Sequence, residues 1–368
     1  MLLIACFLAA GLAQAEEPPA PDPYVPFLSA RGKIVIPVSA GGHGPYSFLL
    51  DLGVERPILD LVTLSELGLS AKEGDAASLT SLEVGLFAVP QAVVEAADLS
   101  HLRTVLGEPM AGILPARFAG ACVAIDFSRG RLAYLPPDAL PDLRRYSRTA
   151  VLRPEKDGPQ VMLTVNGGKP FAARVDLSYA GALAVPKSLA QSLGLLDIDV
   201  PRVQFQAAEG TPAPDGRMQV YSESVNLAGA ELRHAFCTVR DTGDIAILGT
   251  GFLKHSDVIF DFAENRLLLA PLDSDSTDAK EAAYGVLLGD FKDGYWALLV
   301  AVNSPAYRAG IKPGDRLKSV DDEDMLNLPY DEAARRIAGN AGRSAKLTVL
   351  RGEETKEFTV KAEPLIRQ

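Results

Sequence analysis

The sequence is poor in the residues that hold metal ions and build disulfide frameworks. Its 368 residues include only three cysteines and four histidines. The histidines are scattered along the chain without metal-ligand spacing: His43, His101, His234 and His255. We therefore expect no metal and no cofactor. The cysteines are too few for a disulfide scaffold. We expect Cys122 and Cys237 to be separate buried thiols, and the alternative is a disulfide between them, which an exported compartment permits.

Basic excess and long apolar runs are also missing. The formal net charge of −11 argues against a nucleic-acid partner, which would require a basic face. No apolar stretch reaches the ~20 residues of a membrane-spanning helix. Phosphate-loop, dinucleotide-binding and serine-elbow motifs are absent as well. A hydrophobic content of 48% instead indicates a globular protein with sizeable cores, in two or three domains.

The first residues have the pattern of a secretory signal. An apolar segment over 2–12 precedes Ala13-Gln14-Ala15, a small-x-small cleavage site. The pattern predicts a signal peptide over 1–15 and a flexible lead-in over 16–29, and so a periplasmic or extracellular protein. Cys6 follows Leu3-Ile4-Ala5, which leaves lipoprotein anchoring through Cys6 as the alternative.

The main signal in the chain is an internal repeat. The run that ends at Asp51 and Gly53 returns as the run that ends at Asp176 and Ser178, each an apolar strand that delivers one aspartate. A carboxylate driven into apolar surroundings is costly unless it is paired or shared. We therefore expect the two aspartates to face each other.

Other points repeat in the same order. Asp126 closes an apolar strand before Arg131, and Asp261 closes another before Arg266. We expect these to be structural contacts between a strand end and an arginine. Ordered self-similarity of this kind indicates a duplication. It predicts two β lobes, which we name lobe 1 (residues 30–137) and lobe 2 (residues 149–271).

This arrangement resembles the pepsin-like and retropepsin-like aspartic proteases. The resemblance implies a mainly β fold with a bilobal, duplicated β-barrel domain. It implies that Asp51 and Asp176 form a catalytic dyad that shares one proton, supported by the loop residues Gly53 and Ser178. The implied activity is that of an aspartic endopeptidase, a hydrolase of polypeptides.

The sequence departs from the motif of that family, which is Asp-Thr-Gly or Asp-Ser-Gly. Leu52 and Leu177 replace the hydroxyl residue, and Ser178 replaces the second glycine. The alternative is therefore a scaffold without catalysis that binds peptides or proteins as an adaptor or quality-control factor. The exact triplet Asp241-Thr242-Gly243 has polar neighbours, and we interpret it as a surface turn.

A separate module follows a polar linker over 272–282. Residues 283–365 contain Ser304-Pro305-Ala306, Ala309-Gly310-Ile311 and Pro313-Gly314-Asp315, and resemble the PDZ domains of bacterial proteases. Such α+β domains bind a protein C-terminus or an extended peptide as an added strand. The resemblance implies that the peptide site is formed by Tyr284, Gly285, Val286, Leu287, Ala333 and Ile337.

Overall fold

The computed structural model describes residues 21–106, 109–207, 218–272, 282–291, 294–326, 328–338 and 342–365. The predicted signal peptide, Cys6 and most of the linker lie outside these ranges, as do residues 16–20 of the predicted lead-in. The described chain is mainly β and ends in a mixed α and β unit, which confirms the prediction of a mainly β protein.

Short strands dominate all three parts of the chain. The part through Leu135 contains β1 (Val25–Pro26), β2 (Leu28–Ala30), β3 (Lys33–Ala40), β4 (His43–Asp51), β5 (Ile58–Asp60), α1 (Leu61–Glu66), β6 (Ala76–Ser78), β7 (Ser81–Val84), β8 (Phe87–Pro90), β9 (Val93–Ala97), α2 (Ser100–Leu106), β10 (Gly112–Pro115), β11 (Cys122–Asp126) and β12 (Arg131–Leu135).

After short 3-10 helices at Pro137–Ala139 and Leu143–Arg145, the chain enters lobe 2. This part contains β13 (Arg148–Val151), β14 (Gln160–Val165), β15 (Phe171–Asp176), β16 (Leu183–Pro186), α3 (Lys187–Ser192), β17 (Arg202–Ala207), β18 (Met218–Leu227), β19 (Ala230–Arg240), β20 (Ala246–Gly249), α4 (Thr250–Leu253), β21 (Ser256–Asp261) and β22 (Arg266–Pro271).

The last part contains β23 (Ala282–Ala283), β24 (Val286–Phe291), β25 (Gly294–Ala301), α5 (Pro305–Ala309), β26 (Arg316–Val320), β27 (Glu323–Asp324), α6 (Tyr330–Ala338), β28 (Ser344–Arg351), β29 (Glu354–Lys361) and β30 (Glu363–Pro364). Apolar residues around Tyr284, Ala333, Ile337 and Leu347 form a cluster of their own, so this unit, which we call the PDZ unit after its predicted class, has its own core.

The two lobes use the same local pairing to present their aspartates. In lobe 1, β4 pairs in parallel with β10, which sets Asp51 opposite Pro115. In lobe 2, β15 pairs in parallel with β20, which sets Asp176 opposite Gly249. Phe48, Leu49 and Leu50 at the end of β4 are buried, whereas β15 alternates buried and half-buried residues up to the buried Val175. Each aspartate therefore directly follows a buried apolar residue at the end of its strand.

A six-stranded sheet joins the lobes, in the order β1-β12-β11-β21-β22-β13. At its centre β11 of lobe 1 pairs antiparallel with β21 of lobe 2. The two predicted strand-end contacts lie here: Arg131 Nε donates to Asp126 at 3.1 Å, and Arg266 Nε donates to Asp261 at 2.8 Å. One apolar core runs through both lobes on this sheet.

The PDZ unit is connected to lobe 2 by strand pairing as well as by the linker. β17 pairs with β18 through its first half and with β25 of the PDZ unit through its second half. A continuous run of paired strands therefore passes from lobe 2 into the PDZ unit. Within the described ranges, no helix has the length and apolar character needed to cross a membrane.

Candidate functional site

The structure brings Asp51 and Asp176 to one pocket. This pocket has a volume of about 300 Å³ and is lined by Asp51, Gly53, Val54, Asp157, Arg174, Val175 and Asp176. Its lining comes from both lobes and from the segment between β13 and β14. Both of the strands that deliver the aspartates therefore end at this pocket.

The two loops hold their aspartates in the same way. The backbone N–H of Gly53 donates to Asp51 Oδ1 at 2.6 Å, and the backbone N–H of Ser178 donates to Asp176 Oδ1 at 2.8 Å. Ser178 Oγ adds a second hydrogen bond to the same oxygen at 2.6 Å. Each carboxylate is therefore oriented by the residue two positions further along the chain.

The residues between these partners do not take part. Leu52 and Leu177 are buried among core residues, and neither has a side-chain group that can donate or accept a hydrogen bond. Because both positions carry leucine, the two loops lack the hydroxyl groups that would link them to each other. The carboxylates depend on their own loops for orientation.

Arg174 is a site residue that sequence reasoning missed. Its Nη2 lies 3.3 Å from Asp176 Oδ2. The signal was available, since Arg174 precedes Asp176 by two positions on β15, and alternate residues of a strand share a face. The ion pair places a cation beside one of the two aspartates, inside the pocket that holds both.

The surroundings of Asp51 shift the pKa of its carboxyl. Burial raises the pKa of the Asp51 carboxyl above its ordinary value, and the charge of Asp176 raises it further. Hydrogen bonding from the Gly53 amide and the charge of Arg174 act in the opposite direction without reversing the shift. An ionised Asp51 therefore costs folding free energy.

This shift leads to a prediction of pH dependence. Because the folded state binds the Asp51 proton more tightly than the unfolded state, the cost appears as the pH rises through the raised pKa. We expect Asp51→Asn to increase the free energy of unfolding at pH 7 and to leave it unchanged at pH 3. Urea unfolding at the two pH values measures this difference.

Asp98 offers a control for this experiment, since it is exposed and hydrogen bonds from Ser100 lower the pKa of its carboxyl. Asp98→Asn should bring no gain at pH 7. An equal gain from Asp51→Asn at both pH values would contradict the assignment of a buried, costly charge.

The triplet Asp241-Thr242-Gly243 lies away from this pocket. Its residues are exposed and form a bend between β19 and β20. Turn residues in an exposed bend agree with the interpretation made from the sequence.

The predicted peptide site occupies one end of the PDZ unit. We name Tyr284–Leu287 the capture loop. Tyr284 is buried, and its carbonyl accepts a hydrogen bond from Ala306 N at 2.9 Å. The Gly285 carbonyl accepts one from Ala301 N at 2.8 Å. Both α5 and β25 therefore fix the loop.

The side chains of the predicted peptide site differ in exposure. Leu287 is 43% exposed, whereas Val286 is buried at 8%. Ala333 and Ile337 on α6 are also buried, and they pack in the core of the PDZ unit. Leu287 is thus the apolar side chain that solvent reaches, while the two residues of α6 hold that helix beside β24.

Comparison with known protein families identifies the C-terminal unit. Residues 297–351 match the family model described as PDZ domain. The PDZ prediction is therefore confirmed. The chain contains a PDZ domain that follows a mainly β region.

Curated relatives match the chain over short segments. A "Probable CtpA-like serine protease" of Staphylococcus haemolyticus is 37% identical over 59 residues, which is 16% of this chain and 12% of that protein. The "Magnetosome formation protease MamE" of Paramagnetospirillum magneticum is 40% identical over 65 residues, which is 18% of this chain and 9% of that protein. The chain therefore spans about a tenth of the length of these relatives.

These relatives correct one expectation. The sequence-based assignment of an aspartic endopeptidase is wrong, because matched relatives in two staphylococcal species are named serine proteases. The pocket also differs from the predicted dyad in its composition, since Arg174 forms an ion pair with Asp176 there. The chain is a PDZ-containing protein with similarity to named proteases.

Proposed function

We propose that this chain is an exported peptide-binding protein that acts as an adaptor or quality-control factor. The PDZ domain captures the C-terminus of a polypeptide, and the two-lobed β region is the scaffold that carries it. The observation that carries the proposal is the capture loop, whose exposed Leu287 stands at the start of β24.

The arrangement of β24 supports strand addition by a peptide. Along one edge β24 pairs with β25, and the described residues include no strand along the edge beside α6. An extended peptide added at such an edge gains main-chain hydrogen bonds, while backbone N–H groups of the loop hold its terminal carboxylate. The exposed Leu287 favours an apolar last residue.

Asp51 and Asp176 have a place in this proposal as binding groups. Their pocket lies next to a second cavity of about 340 Å³, and both are lined by Gly53 and Val54. We propose that this cleft contacts polypeptide without hydrolysing it. The ion pair of Asp176 with Arg174 supports a role in binding.

Fluorescence anisotropy of the full chain tests the proposal. The probes are fluorescein-labelled octapeptides that end in Leu, Val or Ala, each with a free carboxylate or with a C-terminal amide. We expect the free acids to bind about tenfold more tightly than the amides, since charged hydrogen bonds contribute about 1.5–3 kcal/mol.

Mass spectrometry of the same mixtures supplies the control, and the peptides should stay intact. Equal binding of acids and amides would contradict capture of a carboxylate. Cleavage of the peptides would contradict the role of an adaptor.

A further inference from the structure

The strand behind the capture loop has partners on both of its edges. On one edge of β25, Val300 lies opposite Val286 and Leu299 lies opposite Leu287. Ala301 N also donates to the carbonyl of Gly285. The segment Leu299–Ala301 therefore holds the capture loop directly.

The other edge of the same segment is paired with lobe 2. Phe205 lies opposite Ala301, Gln206 opposite Val300, and Ala207 opposite Leu299. The hydrogen bond from Val302 N to Gln204 O, 2.7 Å long, extends this ladder. Lobe 2, β25 and the capture loop thus form three aligned rows of residues.

The strand of the PDZ unit that pairs with β25 on the edge away from β24 does so at a different part of β25. There β26 pairs with β25 at Trp296, and the register between β24 and β25 shifts after Leu287. The bulge separates the capture loop from the rest of the ladder. Among the strands of the described ranges, β17 is the one that pairs with the far edge of Leu299–Ala301.

Side-chain packing fixes β17 in this position. Val203 and Phe205 are buried in one apolar cluster with Leu299 and Ala301. All four are at most 5% exposed. The side chain of Gln206, between them in the register, is exposed. One face of the pairing between β17 and β25 is therefore a packed apolar core. A substitution at the exposed Gln206 can disrupt the backbone hydrogen bonds of this pairing without removing a core side chain.

We infer that β17 of lobe 2 positions the capture loop of the PDZ domain, so that the affinity for a peptide C-terminus depends on lobe 2. This inference rests on the proposed function. A loop held in its binding conformation loses less freedom when the peptide docks, and the complex gains affinity. Residues Phe205–Ala207 are positioning residues, since they act through β25.

The substitution Gln206→Pro tests the inference in the full chain. Proline removes the backbone N–H and cannot continue a ladder in the middle of a sheet, while the exposed side chain takes no core packing with it. We expect the affinity for the fluorescein-labelled octapeptide ending in free Leu to fall about tenfold. The matched control Gln206→Ala keeps the ladder and should bind within about twofold of the unsubstituted chain.

Hydrogen exchange of the unsubstituted chain supplies a readout that does not depend on the variant folding. Addition of the same octapeptide should slow amide exchange in β17 as well as in β24. Equal affinity of Gln206→Pro and Gln206→Ala, or slowed exchange confined to β24, would overturn the inference. If the unsubstituted chain fails to bind the octapeptide, the proposed function is contradicted, and the inference that rests on it is contradicted as well.

Discussion

A Gly285→Ala variant should bind C-terminal peptides about a hundredfold more weakly than the unsubstituted chain. Gly285 has a φ of +87°, and an added Cβ would lie 2.2 Å from Ser304 Cβ. Ser304 cannot easily move, because it is buried and its Oγ accepts the hydrogen bond from Tyr307 N that caps α5. The loop must therefore shift to relieve the collision.

The size of the effect follows from two costs. A non-glycine residue in the left-handed region costs about 1–2 kcal/mol, and overpacking costs about 1–3 kcal/mol. A loss of about 2–3 kcal/mol in binding corresponds to about a hundredfold in affinity. Titration of the fluorescein-labelled octapeptides by anisotropy measures it.

Gly352 provides the matched control in the same domain. Its φ is +61°, and an added Cβ would meet nothing within 4 Å. Gly352→Ala therefore carries the backbone strain without the collision and should leave the affinity unchanged. If the two variants bind alike, the position of the capture loop is not what sets the affinity.

An Arg266→Met variant should lower the free energy of unfolding by about 2 kcal/mol. It removes the cation beside Asp261, whose side chain is 2% exposed in the central sheet. Breaking a buried ion pair from one side costs about 3–5 kcal/mol. The expected value is lower because the Arg266 side chain is 35% exposed and water screens part of its charge.

Urea unfolding followed by circular dichroism measures this change across the sheet. The control is Arg144→Met, which breaks an ion pair between the exposed side chains of Arg144 and Asp142. This variant should show no measurable change in the free energy of unfolding. An equal loss of unfolding free energy in the two variants would show that the pair of Arg266 and Asp261 stabilises the fold no more than an exposed ion pair does.

The effect of Arg266→Met on the free energy of unfolding should depend on pH. Burial raises the pKa of Asp261, but hydrogen bonds from the Glu264 amide and the Arg266 guanidinium outweigh it and hold the pKa below its ordinary value. The pair therefore stabilises the fold above the unfolded value of about 3.9, and the contribution is lost as the pH falls through the lowered value. The difference between Arg266→Met and the unsubstituted chain should shrink over that range.

Features carried by short stretches could be predicted from the sequence. Asp126 and Arg131 lie on adjacent strands joined by one turn, so their contact follows from local order alone. The same reasoning applies to the loops of Asp51 and Asp176, where each carboxylate is held by the residue two positions on. The PDZ motif, with its Pro-Gly-Asp turn, is equally local.

Features that depend on distant strands could not be predicted. Alternation of apolar residues marks β17 as a strand but does not specify which edge it joins, and its partner β25 begins almost ninety residues later. The sequence therefore indicates a separate module where the structure has a shared sheet. The assignment of an aspartic endopeptidase rested on the placement of two aspartates alone and took no account of Arg174, which forms an ion pair with Asp176.

Cys122 and Cys237, the free thiols of the described residues, can report on local opening of the strands that carry them. Burial raises the pKa of Cys122 to about 12 and that of Cys237 to about 11. Neither thiol forms appreciable thiolate at neutral pH, and the thiolate is the form that attacks disulfides and alkylating reagents. Cys122 lies in the central sheet and Cys237 on β19. Each thiol stays unreactive until its own strand separates from its neighbours. The rates at which an alkylating reagent labels the two cysteines would therefore measure local opening in two different parts of the protein.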